Sequence, residues 1–310
     1  MSERRVILCP GQGAQRVGMG RAWFESSAEA ARTFGAADEI LGDRLGDKLS
    51  TLCFEGPESS LNRTDVAQPA LFVAGVASYQ AMFAESGPGS LAGAAGLSLG
   101  EYTALHIAGA ISFAEALELV ALRGRAMQDA AEASQSSMLA LVGADEDKAN
   151  ELCARASEGD VLVPANFNAP GQVVLSGSVQ AIERAESAAG DMGLRATRLA
   201  VAGAFHSPFM EPAAERLGEQ LATTTIAEPS CPVLSNVTGE PHIDADSIRA
   251  RLVEQLTAPV RWSACCTWLG ANARGASFDE LAPGKVLAGL MRRIDRALKV
   301  QSHDEPQQVA

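Results

Sequence analysis

The segment Gly96-Leu97-Ser98-Leu99-Gly100 constrains the fold more strongly than any other part of the sequence. A short apolar run that favours a strand precedes it, and a helical pattern over 99–109 follows it. In a G-x-S-x-G turn, a strand passes sharply into a helix with the serine at the apex, and the glycines stand where backbone segments approach too closely for a Cβ. The segment thus indicates a strand–turn–helix unit with Ser98 as a candidate nucleophile. The alternative is that Ser98 only caps the helix.

Composition excludes several classes of protein. The chain has 310 residues, 47% of them hydrophobic, which is enough to bury a large core and to form two domains. Its formal net charge of −13 argues against nucleic acid as the main partner, because phosphate binding needs a basic surface. No apolar run of about 18 residues is present and the N-terminus lacks a signal-peptide pattern, so we expect no membrane span and a cytoplasmic location. The six cysteines show no metal-binding spacing and are expected to be reduced thiols.

The order of predicted elements indicates an α/β protein. Residues 4–9 read as a buried strand that ends in the glycine-rich loop 10–15, which lacks the lysine of a P-loop and the spacing of a dinucleotide-binding loop. The middle of the chain reads as β-α-β-β-α-β, the ferredoxin-like arrangement. The predicted organisation is a larger α/β domain, a small inserted subdomain and a disordered polar tail, at residues 1–134 with 202–300, at 135–201, and at 301–310, respectively.

A serine nucleophile needs a base, and histidine is the usual one. The chain has four histidines, and His303 lies in the polar tail while His242 follows a proline in an expected solvated turn. His106 lies eight residues beyond Ser98, roughly 12 Å along the same helix at about 1.5 Å per residue, so it cannot reach the hydroxyl. Elimination leaves His206, just before a helix start, as the candidate base. The alternative is a buried histidine with a purely structural role.

If the serine attacks an acyl carbonyl, the site also needs hydrogen-bond donors for the negative charge that develops on the carbonyl oxygen, the oxyanion. In a turn of this type one donor is the backbone N–H after the serine, here that of Leu99. The N–H of Gln12, in the glycine-rich loop after the first strand, is the second candidate, although that loop could simply make a turn. Arg123 stands in an otherwise apolar helical stretch. It either extends to the surface or, if buried, needs a carboxylate, which could be that of a substrate.

Seven segments together resemble the malonyl-CoA:acyl carrier protein transacylases of type II fatty acid synthesis. They occur in the order of that family and span nearly the whole chain. They are PGQGAQ (10–15), GLSLGEY (96–102), LRGRAMQ (122–128), NFNAPGQVV (166–174), GAFHSPFM (203–210), PVLSNVTG (232–239) and APGKVLAGL (282–290).

The resemblance implies an α/β-hydrolase-like large domain with an inserted ferredoxin-like subdomain. It implies that Ser98 is the acylated nucleophile, that His206 is the base, and that Arg123 binds the malonyl carboxylate. The backbone amides of Gln12 and Leu99 would form the oxyanion hole.

Two further roles follow from the resemblance. Gln255 resembles the residue whose backbone carbonyl orients the histidine in place of the aspartate of an ordinary triad. Phe205, in Gly-Ala-Phe-His, resembles the residue that favours malonyl over methylmalonyl groups. The sequence departs from the family in two places: Leu97 stands where histidine is more common, and Ala282 where glycine is usual.

The implied activity is a ping-pong transfer in which Ser98 takes the malonyl group from malonyl-CoA and passes it to the phosphopantetheine thiol of acyl carrier protein. The resemblance implies a monomer and no metal or redox cofactor. One alternative is a serine hydrolase, which would need an acidic group to orient His206 and would have no use for a buried Arg123. The other is a catalytically silent docking module, which would be expected to lack Ser98 or His206.

Overall fold

The computed structural model describes residues 4–85 and 87–306, and within them the chain forms eight strands and thirteen α-helices. The strands are β1 (Arg4–Cys9), β2 (Ser90–Gly96), β3 (Ser136–Val142), β4 (Leu162–Ala169), β5 (Gln172–Ser178), β6 (Arg195–Arg198), β7 (Ser277–Glu280) and β8 (Val300–Ser302). The helices are α1 (Arg21–Ser26), α2 (Ala28–Leu41), α3 (Leu49–Glu55), α4 (Glu58–Leu61), α5 (Thr64–Met82), α6 (Gly100–Ile107), α7 (Phe113–Glu132), α8 (Glu146–Ala156), α9 (Val179–Ala189), α10 (Glu211–Thr223), α11 (Ala245–Glu254), α12 (Trp262–Asn272) and α13 (Val286–Ile294). None of these helices is long and apolar enough to cross a bilayer.

The larger sheet is parallel, with the strand order β2-β1-β7-β8. Its central strand β1 is apolar on both faces because helices cover both sides of the sheet. Ile7 and Cys9 belong to the core that contains α5 and α7, whereas Val6 and Leu8 belong to the core that contains α12 and α13. The sheet therefore lies between two helical layers, and its strand ends are where loops can gather functional groups.

The smaller sheet is antiparallel, with the order β4-β5-β3-β6, and α8 and α9 cover one face. Side chains alternate along β3: Leu139 and Leu141 face α8 and α9, whereas Met138 packs into the core of the larger unit. The element order β-α-β-β-α-β and this strand order are those of a ferredoxin-like subdomain, which confirms the predicted fold class. The strands run from residue 136 to 198, and the domain limits of 135 and 201 stay a prediction.

The prediction of a disordered tail at 301–310 is wrong for residues 301–306. Strand β8 pairs in parallel with β7 at the sheet edge, and the buried Nε2 of His303 lies 2.8 Å from Asp279 Oδ1. The carbonyl of His303 also accepts a hydrogen bond from Trp23 Nε1. The polar composition of this segment concealed a strand whose stability comes from partners distant in the sequence. Residues 307–310 lie outside the described residues.

We expect His303→Ala to lower the free energy of unfolding by about 1–3 kcal/mol, because the buried carboxylate of Asp279 loses one of its hydrogen-bond partners. Equilibrium unfolding in urea would measure this loss. Gln301→Ala, an exposed position on the same strand, is the matched control and should change stability by less than about 0.5 kcal/mol. Equal effects of the two substitutions would show that the tail is not held by His303.

Candidate active site

Ser98 occupies a sharp turn between β2 and α6, with φ of 52°. This left-handed conformation is costly for a residue with a side chain and is concentrated at functional sites. A Cβ on Gly96 would lie 1.8 Å from the carbonyl carbon of Gly100, and a Cβ on Gly100 would lie 2.1 Å from the carbonyl oxygen of Cys9. Only glycine fits at both positions, so the turn that the sequence predicts is enforced by close backbone packing.

Two buried amides hold the Ser98 turn in place. The backbone N–H of Ser98 donates to Asn236 Oδ1 at 2.6 Å, while Asn236 Nδ2 donates to the carbonyl of Gly96 at 2.8 Å. Gln255 Nε2 donates to the carbonyl of Ser98 at 3.1 Å. Asn236 was not identified from the sequence, although it lies within the segment 232–239 that contributed to the resemblance.

His206 lies against the Ser98 hydroxyl, with 2.8 Å between its Nε2 and Ser98 Oγ. Its Nδ1 lies 2.7 Å from the backbone carbonyl oxygen of Gln255. A carbonyl can only accept a hydrogen bond, so Nδ1 carries the proton and Nε2 presents its lone pair to the serine. His206, like Ser98, has a positive φ (55°). This geometry fits a general base that removes the serine proton.

Arg123 is buried, with 1% of its surface exposed, so the surface alternative is wrong. Its Nη1 donates to Gln68 Oε1 at 2.7 Å, and its Nη2 donates to Ser98 Oγ at 3.0 Å and to Gln255 Oε1 at 2.9 Å. The guanidinium also lies 5.5 Å from the ring centre of Tyr102. Among the described residues no carboxylate bonds directly to this cation, and its Nε–H has no partner. The site thus offers a positive charge that a substrate carboxylate could neutralise.

The environment of His206 keeps its imidazole neutral. Burial, and after it the positive charge of Arg123, lower the pKa of His206 from 6.5 to about 4, although the hydrogen bond to the Gln255 carbonyl acts in the opposite direction. At neutral pH the ring is therefore unprotonated and able to accept a proton from Ser98.

Ser98, Arg123 and His206 line one cleft of about 490 Å³. Its wall includes Ser98, Arg123, His206, Gln12 and Phe205. A larger cleft of about 680 Å³ lies elsewhere, and none of these five residues lines it.

The remaining predicted residues lie behind or beside this cleft. Leu99 follows Ser98 in the turn, and within the described residues neither its N–H nor that of Gln12 donates to another group. Neither amide is thus used within the described part of the protein, and Gln12 lines the cleft. Gln255 is fully buried behind the cleft and reaches the site through its amide and its carbonyl.

The other histidines lie away from the Ser98 hydroxyl. His106 Nδ1 contacts the carbonyl of Ile111 at 3.0 Å. The expectation that His242 is solvated is wrong: its side chain is completely buried, and its Nε2 lies 2.8 Å from Glu101 Oε1. The sequence around it is typical of a turn, but the bridge between Leu234 and Pro241 folds the segment back onto the core. Within residues 4–85 and 87–306, no group of three or more His, Cys, Asp and Glu side chains could hold a metal ion.

Taken together, a serine on a strained turn, a neutral histidine and two free amides can form and resolve an acyl-serine ester. Fold and site have the features of a serine acyltransferase. The acyl transferase domain family matches residues 6–304.

Curated relatives and solved structures define the family more closely. The malonyl CoA-acyl carrier protein transacylase of Bacillus subtilis is 40% identical over 98% of this chain and 94% of its own length, and that of Escherichia coli K12 is 40% identical over 98% and 97%. The crystal structure of the corresponding protein of Xanthomonas oryzae superposes with a TM-score of 0.91 at 41% identity and covers 97% of this chain and 95% of that one. A malonyl-transacylase solved in complex with its type II PKS acyl-carrier protein has a TM-score of 0.92 at 37% identity, over 98% and 97% of the two chains. The chain belongs to the malonyl CoA-acyl carrier protein transacylase family.

The low pKa of His206 predicts how acylation depends on pH. With acetyl-CoA, which carries no free carboxylate on its acyl group, acylation should fall only near pH 4, where the base becomes protonated. Arg123→Ala removes a positive charge that disfavours protonation of His206, so the pKa of His206 should rise. The acid limb of the pH profile, where the acylation rate falls as pH decreases, should then move to higher pH. Rapid-quench measurement of acyl-enzyme formation from pH 4 to 8 tests this.

Arg125→Ala is the matched control for this shift, since Arg125 lies on the same helix but is 56% exposed. Its acid limb should coincide with that of the unchanged protein. An acid limb that stays in place in Arg123→Ala would contradict the electrostatic explanation.

Proposed function

We propose that this protein transfers the malonyl group from malonyl-CoA to the phosphopantetheine thiol of acyl carrier protein through a malonyl ester of Ser98. The observation that carries the proposal is the convergence of two groups on one atom. Ser98 Oγ lies 2.8 Å from His206 Nε2 and accepts a hydrogen bond from Arg123 Nη2 at 3.0 Å. A nucleophile, a base and a carboxylate-binding cation therefore meet at one point. The names of the relatives and the solved carrier-protein complex support the same substrates.

In the first half-reaction, Ser98 Oγ attacks the thioester carbonyl while His206 Nε2 takes the hydroxyl proton. The backbone amides of Leu99 and Gln12 donate to the oxyanion of the tetrahedral intermediate. Collapse of that intermediate breaks the carbon–sulfur bond, and His206 returns its proton to the departing CoA thiolate. The product is the malonyl-serine ester.

In the second half-reaction, the phosphopantetheine thiol gives its proton to His206 and attacks the ester carbonyl. The carbon–oxygen bond breaks, and the proton passes from His206 to Ser98 Oγ. The second half-reaction thereby restores the free Ser98 hydroxyl and the neutral imidazole of His206. The carbonyl of Gln255 holds the imidazole in the required tautomer throughout, since it can only accept from Nδ1.

Arg123 distinguishes malonyl from other acyl groups in this proposal. Its buried guanidinium has no directly bonded carboxylate in the described part of the chain, and it already lies within hydrogen-bond distance of Ser98 Oγ. A malonyl group attached to Ser98 brings its own carboxylate to this cation and can form two charge-assisted hydrogen bonds. Phe205, 6% exposed at the cleft wall, would occupy the space that an α-methyl group needs. A preference against one methyl group rarely exceeds about 200-fold.

A serine hydrolase is the weaker alternative. The partner of His206 Nδ1 is a backbone carbonyl, not an acidic side chain, and hydrolysis gives no reason to bury a cation beside the nucleophile. A monomeric state, a cytoplasmic location and the absence of a metal or redox cofactor stay predictions, and the proposal covers both fatty acid and polyketide carriers.

Incubation with radiolabelled malonyl-CoA, with and without carrier protein, tests the proposal. Label should become stably attached to the protein and should leave only when carrier protein is added. Ser98→Ala should take up no label, because the attacking oxygen is gone, while its unfolding transition shows that it is folded. Rapid release of free malonate would indicate a hydrolase, and label on Ser98→Ala would contradict the assignment of the nucleophile.

Substitution of Arg123 tests the basis of acyl selectivity. Removing one member of a buried charge pair costs on the order of 2–5 kcal/mol, so Arg123→Ala should lower kcat/KM for malonyl-CoA by about 30-fold to several thousand-fold. Acetyl transfer should be maintained or increase. Arg123→Lys should recover only part of the loss, because a point charge cannot bind a carboxylate in two places. A parallel decrease for both thioesters would mean that Arg123 is purely structural.

A further inference from the structure

Glu101 is a completely buried carboxylate on α6, three residues after Ser98. Its Oε2 accepts hydrogen bonds from Gln255 Nε2 at 2.7 Å and from the backbone N–H of Asn236 at 2.9 Å. Its Oε1 lies 2.8 Å from His242 Nε2. The reaction described above uses neither Glu101 nor His242. Burial of an ionisable pair is costly, so its presence beneath the nucleophile needs an explanation.

The hydrogen-bond chemistry of the pair is determined by its surroundings. Nδ1 of His242 is buried and has no partner among the described residues. A proton there would be buried without an acceptor, so the proton belongs on Nε2, where it points at Glu101. An ionised carboxylate only accepts, which makes Glu101 the common acceptor for three N–H groups, one each from His242, Gln255 and Asn236.

This arrangement fixes the orientation of the Gln255 side chain. Because its Nε2 is directed at the carboxylate, its Oε1 must face the other way, toward Arg123 Nη2 at 2.9 Å. A reversed amide would set its NH₂ group against the guanidinium, donor against donor. Gln255 Nε2 also donates to the carbonyl of Ser98 at 3.1 Å, so the carboxylate of Glu101 and this carbonyl together determine, through one amide, which group Arg123 meets.

Glu101 is also the negative charge that lies across that amide from the Arg123 cation. Within the described residues Arg123 has no directly bonded carboxylate, and a buried cation without a nearby anion is strongly disfavoured. A chain of hydrogen bonds from carboxylate to amide to guanidinium is mutually polarising. This series of hydrogen bonds ends at Ser98 Oγ, which accepts from the same Nη2 atom of Arg123.

We propose that Glu101 is a positioning residue that, held by His242, orients the Gln255 amide and thereby keeps the Arg123 guanidinium in the geometry that receives the malonyl carboxylate. This inference rests on the function proposed above. It assigns a role to a buried pair that contacts neither substrate nor the reacting atoms.

Glu101→Gln tests the inference, with kcat/KM measured for malonyl-CoA and acetyl-CoA. An amide offers one acceptor oxygen where the carboxylate offers two. Either Gln255 loses its acceptor, or the new NH₂ group faces His242, whose proton must then move to the partnerless Nδ1. Loss of a charge-assisted hydrogen bond predicts a decrease of about 10- to 100-fold for malonyl transfer, with acetyl transfer changed by less than about threefold. The malonyl-to-acetyl ratio is a readout that a general loss of stability does not change.

Glu280→Gln is the matched control. Glu280 is likewise fully buried, and it accepts from the backbone N–H groups of Leu287 and Ala288 and from Ser302 Oγ. Its replacement should lower stability and leave the malonyl-to-acetyl ratio unchanged. An unchanged or increased ratio in a folded Glu101→Gln protein overturns the inference, since an increase would mean that Glu101 only repels the substrate carboxylate.

A second pair of variants covers the case in which Glu101→Gln does not fold. His242→Gln keeps a donor for Glu101 and should keep the ratio within about twofold, whereas His242→Leu leaves Oε1 without a donor and should lower it about fivefold or more. Equal ratios in these two variants overturn the inference. If the unchanged protein transfers no malonyl group, the proposed function fails and this inference fails with it. Malonyl transfer by the unchanged protein, with an unchanged ratio in the variants, overturns this inference alone.

Discussion

The buried guanidinium of Arg123 imposes the requirements that the rest of the site satisfies. A permanent positive charge with almost no exposure to water must be surrounded by acceptors, and here these are side-chain oxygens of Gln68, Gln255 and Ser98. Burial, and after it the same charge, keep the pKa of His206 low, so its imidazole is neutral at physiological pH. In the function proposed above, this cation receives the substrate carboxylate, and it adds to the effect of burial on the imidazole beside it.

The fold holds these groups in conformations that they would not adopt alone. Ser98 and His206 both have positive φ, and such strain persists only where surrounding contacts determine the backbone. For Ser98 those contacts are the close approach of Gly96 and Gly100 to neighbouring backbone, the hydrogen bond that its N–H donates to Asn236, and the one that its carbonyl accepts from Gln255. For His206 the contact is the carbonyl of Gln255, which replaces the acidic side chain of an ordinary triad. A neutral orienting group suits a site that must accept an anionic substrate, because it adds no further negative charge.

Gln255 connects the two halves of this arrangement. Its backbone carbonyl fixes the base, while its side-chain amide joins the guanidinium to the buried Glu101. The residue therefore links Ser98, His206 and Arg123 without contacting Ser98 Oγ or His206 Nε2 itself. We therefore place a positioning role in the region behind the cleft.

The sequence by itself determined the fold class and the local motifs. The strand–turn–helix at Ser98, the ferredoxin-like element order and the position of His206 follow from glycine spacing, apolar periodicity and the small number of histidines. The roles of the site residues stay proposals, but the contacts of His206 with Ser98 and with the Gln255 carbonyl could be anticipated from the resemblance to the family. Only the tertiary structure decided what depends on burial and on distant partners. It turned Arg123 inward, buried His242 against Glu101, placed Asn236 under the nucleophile and ordered β8 beside β7. Local patterns cannot report these features, because residues such as His242 and Glu101 are separated by 141 positions and are brought together only by the packing of the whole chain.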